Sequence, residues 1–550
     1  MEQVPDIVYG IFVNDELKLN YHRTLFGGVM HRHIIAPLDP KPGDDVTIYM
    51  WTPGKLAFTH AALYYTTDGT TPAGSRGAAS NGITIMLDVA DVKWDVIIWD
   101  YVMSWQAVIP GQPDSTAVQY VISAWSEDGD EVYADTPNVD DTLVHGVMLH
   151  YENIPADTPM LEIGHFPYEN VFHYHVDTLK APDWADSAVI YQIFIDRFHP
   201  GDGKEWIQTS DLEALCGGTL WGVRDKLDYL ADLGVNCLWL SPTWDSPSFH
   251  GYDIRDYTKV NERLGGEEAL RAVIEGAHAR GMRVLLDMAC NHTSNEHPYF
   301  LDAMNNPDSP YRDWFFLDER VKHGYKSFFN VKTMPRINLS HPDARNWMVE
   351  NFVMWVRDFD IDGYRLDVAD GPGPNFWGYV RHALRKVKPD TLIFGEIIDL
   401  PERLRTYAGR LDGNLDFPLT IALRETYAHQ RMTETQLASF IRNNDMFYPA
   451  DFVRPVFLDN HDMNRFSYIA RDDNDRLKRA ALHQLSLPGP AIIYCGTETG
   501  IGQNKGVHQA GFRDIRRVMN WDRIDDDLLA FYKEAIHNRN ARRIKADPMK

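Results

Sequence analysis

The chain has 550 residues, 44% hydrophobic and 24% charged, an ordinary globular composition that excludes a mainly disordered or fibrous protein. At roughly 100 to 200 residues per domain, the length suggests three to five domains, or fewer if one is a large barrel. Lys plus Arg number 54 against 79 Asp plus Glu, a formal charge of -25; such an exterior repels phosphate backbones and anionic lipid, so neither nucleic acid nor a membrane surface is an expected partner.

The first segment, MEQVPDIVYGIFVNDELKLN, lacks the basic start and unbroken apolar stretch of a signal peptide, and no later run approaches the ~20 apolar residues of a membrane span. A cytoplasmic location is the expectation. Residues 1–137 read as an N-terminal β-sandwich module, with strands at VTIYMW (46–51), AALYYT (61–66), ITIMLDV (83–89), DVIIWDYV (95–102) and VQYVISAW (118–125) separated by turn residues. Residues 138–183 carry few periodic runs and read as a linker. Within it, HYH (173–175) puts two histidines on one face; no third ligand is evident, so a structural strand is preferred to a zinc site.

From 184 to 550 short apolar runs alternate with amphipathic stretches. The runs fall at 189–195, 235–241, 283–289, 363–368, 391–395, 414–419, 453–458 and 491–495. Eight such runs with interleaved helices (221–234, 267–281, 343–360) predict an α/β fold, a (β/α)8 TIM barrel whose strands are covered on both faces and so lack period-2 alternation. The long gap between the third and fourth runs predicts an inserted subdomain at about 292–345. GGTLWG (217–222) lacks the Lys and Ser/Thr of a phosphate loop and reads as a strand-to-helix turn. Cys216, Cys237, Cys290 and Cys495 are too widely spaced for a metal clip or redox pair and read as free thiols.

In such a barrel the chemistry sits at the C-terminal strand ends, where ionisable residues concentrate here. Asp287 ends the third strand with Asn291 and His292 beyond it; Arg365 and Asp367 end the fourth, Glu396 the fifth, and Asp459, His461 and Asp462 the seventh. Three carboxylates, Asp367, Glu396 and Asp462, converge on one mouth. That suits glycoside chemistry, which needs one ionised carboxylate at the anomeric carbon and one protonated carboxyl at the leaving oxygen. Arg365, two residues before Asp367 and on the same strand face, would keep that carboxylate ionised. Glu396, after the apolar LIFG, is better placed for a raised pKa. A helix cap would explain any one strand-end carboxylate, but not the constellation.

The stretches DMACNH (287–292), GYRLDVAD (363–370), FGEI (394–397) and FLDNHD (457–462), in this order across residues 184 to 540, resemble the α-amylase superfamily of glycoside hydrolases. The resemblance implies Asp367 as nucleophile, Glu396 as general acid/base and Asp462 as transition-state stabiliser. Arg365, His292 and His461 would hold the glucose, with Asp287 and Asn291 in the same site, and Tyr252 of HGYD (250–253) would be the aromatic platform beneath it. Retention of anomeric configuration is also implied. MPRIN (334–338) and SPSFHGYDIRDY (246–257) are similar to the neopullulanase, cyclomaltodextrinase and maltogenic amylase group, whose N-terminal module helps form a dimer; a homodimer is therefore an expectation.

Three departures stand beside this. VADG (368–371) replaces that group's VANE, Ile398 and Asp399 replace its Trp-His pair, and after the helix at 526–543 only IKADPMK follows, so the usual C-terminal β-domain is expected to be absent. No cofactor is expected to be required. Calcium is the one candidate, through Asn291 or through Asp196 and Asp202 in IDRFHPGDG, a loop poorer in oxygen ligands than calcium needs. Trp94, Trp99, Trp105 and Trp125 are expected mostly in the sandwich core, one exposed Trp being enough to stack on glucan. The expected function is a retaining hydrolase of α-1,4-glucosidic bonds in maltooligosaccharides, cyclodextrins or pullulan. A glucanotransferase or sugar isomerase on the same scaffold, or a non-catalytic carbohydrate-binding protein, are the alternatives.

Overall fold

Each apolar run of the second half of the chain is buried on both faces in the computed structural model, which describes residues 15–137, 168–211 and 213–546. Eight parallel strands result: Val189–Ile193, Cys237–Leu240, Arg283–Ala289, Gly363–Asp367, Leu392–Gly395, Gly413–Asn414, Val456–Phe457 and Ala491–Tyr494, hereafter barrel strands one to eight. They are ordered 6-5-4-3-2-1-8-7. Strand one pairs with strand eight over four residues, from Val189 opposite Ala491 to Gln192 opposite Tyr494. The ring closes between strands six and seven, where Asn414 N donates to Val453 O (3.0 Å) and Val453 N to Asp412 O (2.8 Å).

Strands six and seven are shorter than their apolar runs. In NLDFPL the reason is local: the Asp416 carboxylate accepts from Leu419 N at 3.0 Å and, with Pro418 behind it, starts the helix Phe417–Tyr427 four residues after the strand begins. The amphipathic segment 221–234 is likewise two helices, Leu220–Asp225 and Leu227–Leu233. Thr219 caps the first through Gly222 N, and a Cβ on Gly222 would stand 1.8 Å from His199 O. GGTLWG is thus a close-packed turn onto the segment that follows strand one.

Between strands three and four the insertion carries the helix Pro298–Asn305 and isolated antiparallel bridges, His292 to Arg336 and Phe315 to Ile337 among them. MPRIN lies along the strand-three loop: Ile337 N donates to Asn291 O (3.1 Å) and Thr293 N to Pro335 O (3.0 Å). The helix Pro342–Phe359 then leads to strand four.

The N-terminal module is two antiparallel sheets. One contains Ile35–Ala36, Val46–Pro53, Asp100–Ile109 and Asp88–Asp95; the other contains Val132–Tyr133, Thr116–Trp125, His60–Thr66 and Ile83–Met86. Alternate residues meet between them, Ile48, Met50, Trp105 and Ala107 from one face and Leu63, Tyr65, Tyr120 and Ile122 from the other. Four expectations are corrected here. ITIMLDV is not one strand: it changes sheets at buried Leu87. The middle of DVIIWDYV is a turn, because Asp95 Oδ1 accepts from Ile97 and Ile98 N and Trp99 takes a left-handed φ of 55°. That turn exposes Trp99 (74%) and Trp94 (49%), whereas Trp105 and Trp125 are buried.

Fourth, Phe172–Val176, inside the stretch read as a linker, is a strand paired with Thr116–Trp125; residues 138–167 lie outside the described residues. Alternation in FHYHV turns Phe172, Tyr174 and Val176 into the sandwich core. His173 and His175 face the barrel helix Gly373–Val387 instead, where His173 stacks on Tyr379 with centroids 3.9 Å apart and His175 on His382 at 4.4 Å. All four cysteines are buried and free. Among the described residues no helix is long and apolar enough to cross a membrane.

Candidate active site

Strand register assembles the site. Asp287 on strand three is the lateral partner of Arg365 on strand four, and Ala289 that of Asp367; Leu366 is opposite Gly395, so Glu396 follows alongside Asp367. The Arg365 side chain is fully buried and reaches the carboxylates of Asp287, Asp367 and Glu396. Its Nη1 lies 2.6 Å from Asp287 Oδ1 and 2.7 Å from Asp367 Oδ1, and its Nη2 forms an ion pair with Glu396 Oε2 at 2.6 Å. Asp287 Oδ2 accepts from Trp239 Nε1 and Tyr252 Oη, each at 2.9 Å.

The loop after strand seven supplies the opposite wall. His461 Nε2 lies 2.6 Å from Tyr252 Oη and 3.1 Å from Asp462 Oδ2, and its ring is parallel to Tyr252 at 5.6 Å. Arg516, beyond strand eight, pairs with Asp462 Oδ1 and donates Nε–H to His461 O (2.9 Å). Asp459 faces away and accepts from Phe466 N (2.7 Å) and Thr497 Oγ1 (3.2 Å), a structural cap.

Charge distribution separates the carboxylates. Burial pushes the pKa of Asp367 well above the usual range, with Glu396, Asp287 and Asp462 adding to the rise and Arg365 opposing it. Glu396 is raised by burial too, again against Arg365, and so is Asp287. The guanidinium expected beside Asp367 is there, but it is divided among three acids. Asp462 is different, because His461, Arg516 and Arg365 together outweigh burial and hold its pKa low. Burial holds the His461 imidazole down at about 3, and it is neutral.

Asp287, Arg365, Asp367, Glu396, Tyr252, His461 and Asp462 thus form one connected network. Asn291 and His292 stand behind it. His292 spends Nε2 on Tyr252 O (3.2 Å) and Nδ1 on Asn291 Nδ2 (3.4 Å), and it stacks on Phe328 at 5.2 Å. Asn291 Oδ1 lies where a Cβ of Gly371 would be, 1.9 Å away, which gives the VADG departure a steric reason. Asp399 is buried; it accepts from Leu400 N and Arg403 Nη1, both at 2.6 Å.

The residues considered for calcium are engaged with protein partners. Asp196 accepts from Cys216 N (3.0 Å) and Gly217 N (3.2 Å) beside Arg197, Asp202 pairs with Arg224 at 3.1 Å, and Asn291 packs as above. Among the described residues no three His, Cys, Asp or Glu side chains are grouped to hold a metal ion.

Three participants were not identified from sequence: Trp239 on Asp287, Gln192, whose Nε2 faces His461 Nδ1, and Arg516 on Asp462. Trp239 and Gln192 lie on the inward faces of strands two and one, where period-2 counting could have found them, since Ile190 and Trp239 pack inside the barrel. Arg516 follows strand eight at no diagnostic spacing, and nothing in the sequence marks it.

This fold and network define a TIM-barrel carboxylate site of the glycosidase type. The alpha-amylase catalytic domain model matches residues 192–544, and the chain belongs to the alpha-amylase family. It is 36% identical over 371 residues to alpha-amylase 2 of Dictyoglomus thermophilum, 66% of this chain and 65% of that protein. It is 33% identical over 399 residues to the intracellular maltogenic amylase of Bacillus subtilis, 70% of this chain and 66% of the other. The matches therefore span just under two thirds of these relatives' own length. A solved cyclomaltodextrinase structure shares the fold, with a TM-score of 0.62 at 24% identity over 94% of this chain and 85% of that one.

Proposed function

We propose that the chain is a retaining hydrolase of α-1,4-glucosidic bonds in maltooligosaccharides, cyclodextrins or pullulan. The observation that carries this is the single Arg365 guanidinium held against Asp367, Glu396 and Asp287. Three acids around one cation carry two excess negative charges when all are ionised, so the cluster favours keeping a proton at neutral pH. A proton on Glu396 leaves Asp367 as the ionised nucleophile. Glu396 then donates its proton to the glycosidic oxygen as that bond breaks, while Asp367 forms a bond to the anomeric carbon. Water attacks the same carbon, Glu396 takes its proton, and the bond to Asp367 breaks with the α-configuration restored. Asp462, kept ionised by Arg516 and His461, stabilises positive charge on the sugar ring, and Tyr252 offers its ring to the sugar face.

The names of the two relatives support an α-glucan substrate, and MPRIN supports the cyclodextrin and pullulan group. On this reading the protein is cytoplasmic, needs no cofactor, and pairs with a second copy through its N-terminal module. The test is a chromatographic product profile on maltoheptaose, β-cyclodextrin, pullulan and starch. Asp367→Asn and Glu396→Gln should stay folded yet lose turnover by about 10⁴-fold or more. Undiminished activity in either variant refutes the assignment, and products longer than the starting oligosaccharide assign a transferase instead.

A further inference from the structure

The two nitrogens of His461 face different partners, and together these settle where its proton sits. Nε2 lies 3.1 Å from Asp462 Oδ2, and an ionised carboxylate only accepts, so Nε2 carries the hydrogen. Nδ1 is then a lone pair that needs a donor. The group facing it is Gln192 Nε2, within hydrogen-bonding distance on barrel strand one. Reversing the Gln192 amide would put its oxygen against that lone pair, or move the hydrogen to Nδ1 and leave two lone-pair atoms, Nε2 and Asp462 Oδ2, in contact. Gln192 is buried, and its Oε1 has no hydrogen-bond partner among the described residues. The strand brings it there by alternation: Ile190 packs inside the barrel with Trp239, Leu285 and Phe394, and Gln192 shares that face.

We propose that Gln192 is a positioning residue whose amide N–H fixes His461 as the neutral imidazole protonated at Nε2. It begins a one-way hydrogen-bond chain from Gln192 to His461 to Tyr252 to Asp287. The links are His461 Nε2–H to Tyr252 Oη at 2.6 Å and Tyr252 O–H to Asp287 Oδ2 at 2.9 Å, and the far end meets the Arg365 guanidinium that also holds Asp367. The direction of every bond follows from the first donor. In this tautomer the single Nε2–H of His461 is shared between Tyr252 Oη at 2.6 Å and Asp462 Oδ2 at 3.1 Å. The charged and titratable groups around the ring agree with a neutral state: Asp462 favours its protonation, while burial, Arg516, Arg365 and His250 oppose it. The inference rests on the proposed function for its kinetic consequence, not for the tautomer itself.

The test uses the full chain labelled with ¹⁵N-histidine, with the His461 signals assigned by their loss in His461→Asn. The free wild-type protein should show a protonated Nε2, an unprotonated Nδ1 and no titration of His461 between pH 5 and 8. In Gln192→Glu the carboxylate at Nδ1 can only accept, so His461 should become doubly protonated and titrate at higher pH than in the wild type. Gln192→Met, of similar size but without a donor, should lower kcat on the best oligosaccharide by about tenfold or more with KM little changed. A proton on wild-type Nδ1, titration of wild-type His461 near 6.5, or wild-type kcat in Gln192→Met overturns the proposal. The wild-type spectrum needs neither a substrate nor a variant that folds, so it gives its answer even if the sugar-bond reading fails.

Discussion

A guanidinium between three carboxylates compensates one negative charge and leaves the others to find protons or further partners. Arg365 is in that position, and Asp462 escapes it through Arg516 and His461. This division of cations leaves the pKa values of Asp287, Asp367 and Glu396 raised and that of Asp462 lowered at one barrel mouth. The carboxylates, Arg365 and His461 were legible because strand ends and period-2 spacing select them, and Tyr252 because HGYD resembles the family's loop after strand two. Arg516 was not, because a loop residue that reaches back across the barrel leaves no periodic trace. Gly371 shows the opposite case, a residue whose departure from the family pattern is explained only by its neighbour. A side chain there must displace Asn291, so Gly371→Glu should cost about 1 to 3 kcal/mol of stability. Thermal unfolding checks this, and adding Asn291→Ala to Gly371→Ala should recover most of the loss of the single alanine variant.

Helix Gly373–Val387 is fastened to the barrel by one acid at the entrance to strand six. Asp412 accepts from Arg381 Nε (3.0 Å), Arg385 Nη2 (2.7 Å) and Ile393 N (3.0 Å), with its side chain fully buried. Asp412→Ala strands two buried guanidiniums and should cost about 3 to 5 kcal/mol, read from the urea midpoint; a loss below about 1 kcal/mol would mean that the helix is held by packing alone. The same helix takes the imidazoles of His173 and His175 on its outer side, which makes it the shared wall of barrel and module. Element identity was legible wherever apolar runs were long. It failed at DVIIWDYV, where composition favours a strand but the Asp95 side chain captures two backbone N–H groups and forces a turn, and at FHYHV, where a strand that completes a distant sheet has no local partner to announce it.

At the scale of the whole molecule, buried neutral histidines make stability depend on pH. His31 lies in the core of the N-terminal module, donates Nδ1–H to Tyr49 O and accepts from Tyr120 Oη, and burial holds its pKa at about 3. The unfolded chain titrates this group near 6.5, so its contribution is complete above about pH 6.5 and is lost as pH falls towards 3. The raised acids Asp287, Asp367 and Glu396 act with the opposite sign, since the folded state binds protons that the unfolded state releases. A His31→Gln variant isolates the first effect: between pH 7.5 and 5.5 it should lose about 1 kcal/mol less than the wild type, measured by urea unfolding at each pH. An identical pH slope would show that His31 is charged in the folded state. The two-layer module and the eight-strand count were legible from spacing, but where the ring closes was not, because closure depends on pairing between strands and not on any run. The first and last strands, some 300 residues apart in sequence, are joined over four residue pairs, while strands six and seven, about 40 apart, meet through a single bridge and a few backbone bonds. The stave ends are thus sewn most firmly where the thread is longest, and the slack of the barrel lies in the middle of the chain, beneath the loop that carries His461 and Asp462.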